Sequence, residues 1–187
     1  MTVRITRNLA LPPVSKGEVL RYAASPCTDD TALPKCPDVA SAVCYTTLSV
    51  SVSDGVCDFG FFKIRSQNLA KNLAGCKKAV VFAATVGIDF DREIAKYTRL
   101  SPSRALLVSA MGTERVEALC DMFVKEFEEN NSVKLRPRFS PGYGDLPLEA
   151  QRDIFSLLDP AKNVGITLGA SLLMTPTKSV TAFAGIE

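Results

Sequence analysis

Residues 79–85, AVVFAAT, carry one hydroxyl and no charge. A run this short and this apolar, flanked by Lys77-Lys78 and closed by Gly87, predicts a central strand buried on both faces. The helical and strand-like patterns around it do not follow a regular β-α-β rhythm. The expected fold class is therefore α+β, with a mixed or antiparallel sheet and packed helices. A chain of 187 residues suits one domain over 1–187 with a real hydrophobic core, and residues 1–14 read as an N-terminal arm.

The remaining elements follow from caps and periodicity. Ser15 and Glu18 have capping-box spacing and predict a short helix ending by Ser25-Pro26. Residues 26–37 read as loop, and a second short helix is expected over Asp38 to Val43. Leu48, Val50 and Val52 alternate with Ser49, Ser51 and Ser53, and Asp54-Gly55 is a tight-turn signal, so residues 45–64 read as a hairpin. Ser66 caps a helix closed by Gly75. A helix begins near Asp89, with acids in its first turns and Arg99 near its end. Ser101-Pro102 opens the longest helix, to about Asn130. Its buried stripe is Met111, Val116, Leu119, Cys120, Phe123 and Phe127. Gly112 interrupts that helix at a cost of about 1 kcal/mol relative to Ala, which suggests close packing or ligand approach. Strands are expected over Val133–Phe139, Asn163–Leu168 and Ser179–Ala184, and a helix over Leu148–Leu158.

Composition excludes several chemistries. The chain has no histidine, which removes Ser-His-Asp, Cys-His and HExxH catalysis together. Its six cysteines, at 27, 36, 44, 57, 76 and 120, form no CxxC pair, so a zinc or iron–sulfur site is not expected and reduced thiols are. Neither a dinucleotide-binding GxGxxG nor a Walker A motif occurs. Net charge is +2 with scattered positives, which argues against nucleic acid as the partner. No apolar run reaches membrane-spanning length. The N-terminus lacks a long apolar core, so no signal peptide and a cytoplasmic location are expected.

The stretch RPRFSPGYGDLP, residues 136–147, is the main candidate for function. Each proline fixes its own φ and biases the residue before it, and Pro141-Gly142 reads as a turn. A stiff loop of this kind is either a proline-stapled surface connection or a preorganised binding loop. Arg138 can grip a carboxylate through its planar fork, and a carboxylate such as Glu117 can pair with an amino group. Glu117 and Asp121 share a helix face beside the buried stripe. Tyr143 can pack against a flat or sulfonium-bearing group. Together these residues suit a small zwitterion. The segment from Met174 to Ser179 is a further candidate. Structural roles for each residue remain open on spacing alone.

Arg138-x-x-Pro141-Gly142-Tyr143 followed by Pro147 resembles the signature of the activation (reactivation) domain of cobalamin-dependent methionine synthase. The likeness extends to Leu172-Leu173-Met174-x-Pro176-x-x-Ser179-Val180, Ala84-Thr85-x-Gly87 and Gly112-x-x-x-Val116-Glu117-Ala118. The layout is most similar to small stand-alone members of that family. The resemblance implies binding of S-adenosylmethionine, with Arg138 on its carboxylate, Glu117 contacting it, and Tyr143 and the backbone of Ser140, Pro141 and Gly142 bordering it. It implies reductive methylation of cob(II)alamin on a partner methionine synthase that lacks its own activation domain. Cobalamin would be carried by that partner, and flavodoxin or ferredoxin would be a possible electron donor. Self-association into a homo-oligomer is also possible. A subunit that binds a different small ligand without methyl transfer, or only assists assembly, is the alternative. The matching final strand, Ala182-Phe183-Ala184-Gly185, is far less aromatic than in the large synthases. Asp29, Asp30 and Asp38 are too weakly anchored to nominate as an acidic contact.

Overall fold

The computed structural model describes residues 2–24 and 32–187. Cys27, Asp29, Asp30 and the start of the expected 26–37 loop lie outside the described residues.

The apolar run forms β6 (Lys78–Thr85). It pairs antiparallel along its whole length with β2 (Ala42–Ser49) on one side and β9 (Ser179–Ile186) on the other. β1 (Arg4–Arg7) pairs outside β2, so part of the N-terminal arm is an edge strand. Successive side chains of a strand point to opposite faces. Ala79, Val81 and Ala83 accordingly join one core with Cys44, Leu48 and Phe183. Val80, Phe82 and Ala84 join the other with Val43 and Ala182. All six of these β6 side chains are fully buried, which explains why the run has no polar face.

The two cores carry different layers. The first is covered by α2 (Gln67–Asn72), α5 (Ala150–Leu158) and α6 (Pro160–Val164), with a three-stranded sheet of β3 (Ser51–Ser53), β4 (Val56–Asp58) and β5 (Lys63–Arg65). The second is covered by α1 (Lys16–Ala23), α3 (Asp89–Leu100) and α4 (Pro102–Asn131). A short pair, β7 (Thr167–Leu168) with β8 (Met174–Thr175), precedes the last strand. Among the described residues, no helix is long and apolar enough to cross a membrane.

Four expectations are corrected. The predicted helix over Asp38–Val43 is absent; Ala42 and Val43 open β2, because pairing with Thr85 and Ala84 of β6 outweighs local preference. The predicted hairpin is divided: Tyr45–Ser49 belongs to the main sheet, and only β3 onward folds back at Asp54-Gly55, both at positive φ. The predicted strand over Asn163–Leu168 is mostly helix end and turn. Pro160 opens α6 and Gly165 closes it at φ 73, leaving two paired residues. Val133–Phe139 makes only two isolated bridges to β9, Leu135 with Ile186 and Phe139 with Phe183. Four steps on this strap oppose three on β9, so one residue is extra, and Pro137 lacks an N–H to donate.

The buried stripe of α4 matches its predicted positions, but Glu114 and Arg115 are buried as well. They ion-pair with each other. Arg115 also donates to the Pro12 carbonyl at 2.6 Å and the Pro13 carbonyl at 3.3 Å. Glu114 accepts from the Ser15 N–H at 3.1 Å. In a capping box Glu18 would take that N–H; instead Glu18 pairs with Arg21, and α4 supplies the acceptor. The pair thus pins the chain entering α1 to the long helix. Removing one partner leaves a buried charge uncompensated, so Arg115→Ala is expected to lower unfolding free energy by about 3–5 kcal/mol, measurable by urea denaturation. Gly112 is a packing residue: an added Cβ would sit 2.8 Å from Phe90 Cδ1 and 2.9 Å from Lys178 Cγ. Gly112→Ala should therefore lower the melting temperature despite the better helix propensity of alanine, because overpacking costs about 1–3 kcal/mol.

Candidate functional site

β9 is covered on its outer edge for only part of its length. Arg136 N–H donates to the Gly185 carbonyl at 2.8 Å, and Phe139 exchanges bonds with Phe183 at 2.8 and 2.9 Å. Glu187 N–H donates to the Lys134 carbonyl at 2.9 Å. Past Phe139 the chain leaves the sheet, and a cavity of about 670 Å³ opens beside Ser179, Val180 and Thr181. Since residues 183, 185 and 187 turn their backbone groups outward, alternation turns those of Thr181 toward the cavity as well. The volume falls in the range of small-molecule sites, about 300–1,000 Å³.

Of the six residues named from the sequence, Glu117, Arg138, Ser140, Pro141 and Tyr143 line this cavity. Gly142 does not. It sits at φ +90 in the turn behind the wall, its N–H donating to the Leu146 carbonyl at 2.9 Å. Tyr143 is 70% exposed and stands at the rim. Arg138 is not free. Its Nη2 lies 3.1 Å from Glu117 Oε2 and 2.7 Å from Asp121 Oδ1. Burial works against the guanidinium charge, while Cys120, Glu117 and Asp121 act the other way, and its pKa is raised. Burial pushes the Cys120 thiol up to about 12, so at neutral pH Cys120 is a neutral neighbour of the guanidinium.

The loop is held from outside the cavity. Asp145 accepts from Ser66 Oγ, from Gln67 N–H at 2.7 Å and from Asn68 N–H at 3.1 Å. Ser66 Oγ in turn accepts from Leu69 N–H at 3.0 Å. One carboxylate from the proline loop thus completes the N-terminal cap of α2. The segment from Met174 to Ser179 is also anchored rather than reactive. Thr177 N–H donates to Asp91 at 3.1 Å, and Lys178 Nζ donates to Ser109 and Thr113 hydroxyls at 3.0 and 3.1 Å. Burial lowers the Lys178 pKa. Only Met174 and Ser179 of this segment reach the cavity. The thiols of Cys44 and Cys57 are buried too, pushed by burial to about 12 and about 11.

Sequence reasoning missed Gln151. It lines the cavity from α5, is 6% exposed, and its Oε1 is buried without a hydrogen-bond partner among the described residues. Its signal was faint: one amide beside the stripe of Ala150, Ile154, Leu157 and Leu158.

The fold is mixed α+β, with an antiparallel sheet between helical layers and a polar-rimmed cavity at one sheet edge. It is similar to the solved MetH reactivation domain bound to AdoHcy, with a TM-score of 0.62 and 13% identity. The match covers 79% of this chain and 59% of that one, so this chain spans less than two thirds of that protein's length. No family model and no curated protein matches the sequence.

The Asp145 cap should be visible in acid. Its pKa is lowered below the ordinary 3.8, chiefly by the Ser66 hydroxyl and then by the Asn68 and Gln67 N–H groups. A depressed carboxylate adds stability above its unfolded pKa and loses it as pH falls through the folded one. Asp145→Asn should therefore melt below the unmodified protein at neutral pH. The two melting curves should converge as pH drops below the ordinary value.

Proposed function

We propose that the chain binds S-adenosylmethionine in the cavity beside β9. In this reading it supports reductive methylation of oxidised cob(II)alamin on a partner cobalamin-dependent methionine synthase in the cytoplasm. One electron from an external reductant such as flavodoxin or ferredoxin and a methyl cation from the sulfonium together restore methylcobalamin and leave S-adenosylhomocysteine. The observation that carries the reading is the convergence of Arg138, Glu117 and Asp121 on a cavity walled by the proline loop. Arg138 offers a fork to a carboxylate, and the acids offer partners to an ammonium. Ser140 and Pro141 hold the wall, with Gly142 supplying the turn behind it. Met174, Val180, Val124 and Leu135 supply apolar surface. The buried acceptor of Gln151 and the backbone groups of Thr181 are complementary to further donors and acceptors on such a molecule. The residues present therefore fit the group, and the likeness to the AdoHcy-bound domain agrees with the choice.

The ion pairs of Arg138 support a second reading. In it Arg138 ties the strap to α4, and the chain is a non-transferring ligand-binding or assembly subunit of a corrinoid methyltransferase system. Calorimetric titration with S-adenosylmethionine separates the two. Under the first reading binding is saturable, Arg138→Ala weakens it by about 2–5 kcal/mol, and Glu117→Gln weakens it too. Unchanged affinity in a folded Arg138→Ala protein would sink the assignment of the cavity.

A further inference from the structure

We infer that Gln151 reads the amino edge of the adenine base, which makes it the residue that selects an adenosyl ligand over other nucleosides at this site. The inference rests on the reading above that the cavity takes an S-adenosyl compound. Gln151 reaches the cavity from α5, on one face of the sheet, whereas Glu117 and Asp121 reach it from α4, on the other. A molecule spanning the cavity therefore meets the two acids with Arg138 at one end and, opposite them, the Gln151 amide, with Arg136 on that side already engaged by the Asn72 carbonyl and Glu187. The cluster of Arg138 with two acids is matched to the amino acid portion, so the amide end falls to the nucleoside. A primary amide presents one donor and one acceptor side by side, the pattern that pairs with the adenine amino group and its neighbouring ring nitrogen. Gln151 Oε1 is buried and lacks a partner, and burial without a bond is costly unless a donor arrives. Its backbone N–H is already committed to the Leu148 carbonyl at 3.0 Å, so only the side chain is free to read.

The test compares two probes, S-adenosylhomocysteine and its analogue in which the 6-amino group is replaced by hydrogen. Binding is measured for the unmodified chain, Gln151→Leu and Gln151→Met. The unmodified chain should prefer the amino-bearing base by about 5- to 150-fold. Both variants should bind the two probes within about twofold of each other. Their melting temperatures should hold or rise, since an orphaned amide is gone; a merely structural glutamine would lower them. Retention of the preference in folded variants, with S-adenosylhomocysteine still bound and still dependent on Arg138, would overturn the inference and leave the parent reading standing. Equal weakening of both probes would place Gln151 on another part of the ligand and overturn it as well. Absence of saturable binding by the unmodified chain would overturn both readings together.

Discussion

The outer edge of β9 is the constraint on which the site depends. A sheet edge offers a row of backbone donors and acceptors that must be paired, covered or faced with water. Here the strap from Lys134 to Phe139 pairs with the end of β9 and then departs. Pro137 and the one-residue slip interrupt the pairing between the two bridges, and the turn through Pro141 and Gly142, just past Phe139, takes the chain off the sheet. The edge left beyond it is the back wall of the cavity. Its position is not negotiable, because β9 is paired with β6 residue for residue and β6 is locked between two cores. The site therefore combines a rigid strand edge, a long helix and a proline-stiffened loop, a combination that holds geometry better than loops alone.

Charge gives the cavity a direction. One guanidinium stands between two carboxylates on consecutive turns of α4, which leaves that cluster one negative charge in excess, while Arg136, also on the cavity wall, is paired with Glu187. Arg138 is only 22% exposed on its side chain, while Asp121 is 72% exposed, so the pair to Asp121 is screened and weak. A carboxylate entering from the ligand can exchange with Asp121 at modest cost. Glu117, less exposed, is the acid better placed to stay or to meet an ammonium. S-adenosylmethionine carries two positive groups and one negative, so its surplus is opposite to that of the cluster. The proposed ligand and the excess charge are complementary in sign, and that holds whichever carboxylate exchanges.

The parts of the fold legible in the sequence are those decided by neighbours along the chain. β6 showed in an unbroken apolar run, α2 in Ser66, the β3–β4 turn in Asp54-Gly55, and α4 in its 3.6-residue stripe. The parts that were not legible are decided by distant partners. Ser66 meets Asp145 from 79 residues away, and Arg115 meets Pro12 from 103 away. Neither pairing has a local pattern, and Arg115 was hidden further because a buried arginine looks like a solvated one in sequence. Ala42 and Val43 were misread for the same reason: their strand exists because β6 lies beside them. At the site, the proline loop and Arg138 stood out through unusual residue types, whereas Gln151 is an ordinary residue in an ordinary helix.

That ordinariness bears on why a glutamine is there at all. Position 151 is followed around α5 by Ile154, Leu157 and Leu158, all in the core. A leucine would continue the stripe and remove an unmatched acceptor that costs about 1–3 kcal/mol when left without a bond. Nothing in the packing of α5 requires an amide. A fold that keeps one on the wall of a cavity leaves that acceptor unpaired, and under the proposal a donor on the ligand pairs it. The same logic separates Gln151 from Arg115, each of whose side-chain nitrogens has a partner in Glu114 or a proline carbonyl. A satisfied buried group holds the fold; an unpaired one on a cavity wall supports the proposal that the cavity binds a ligand.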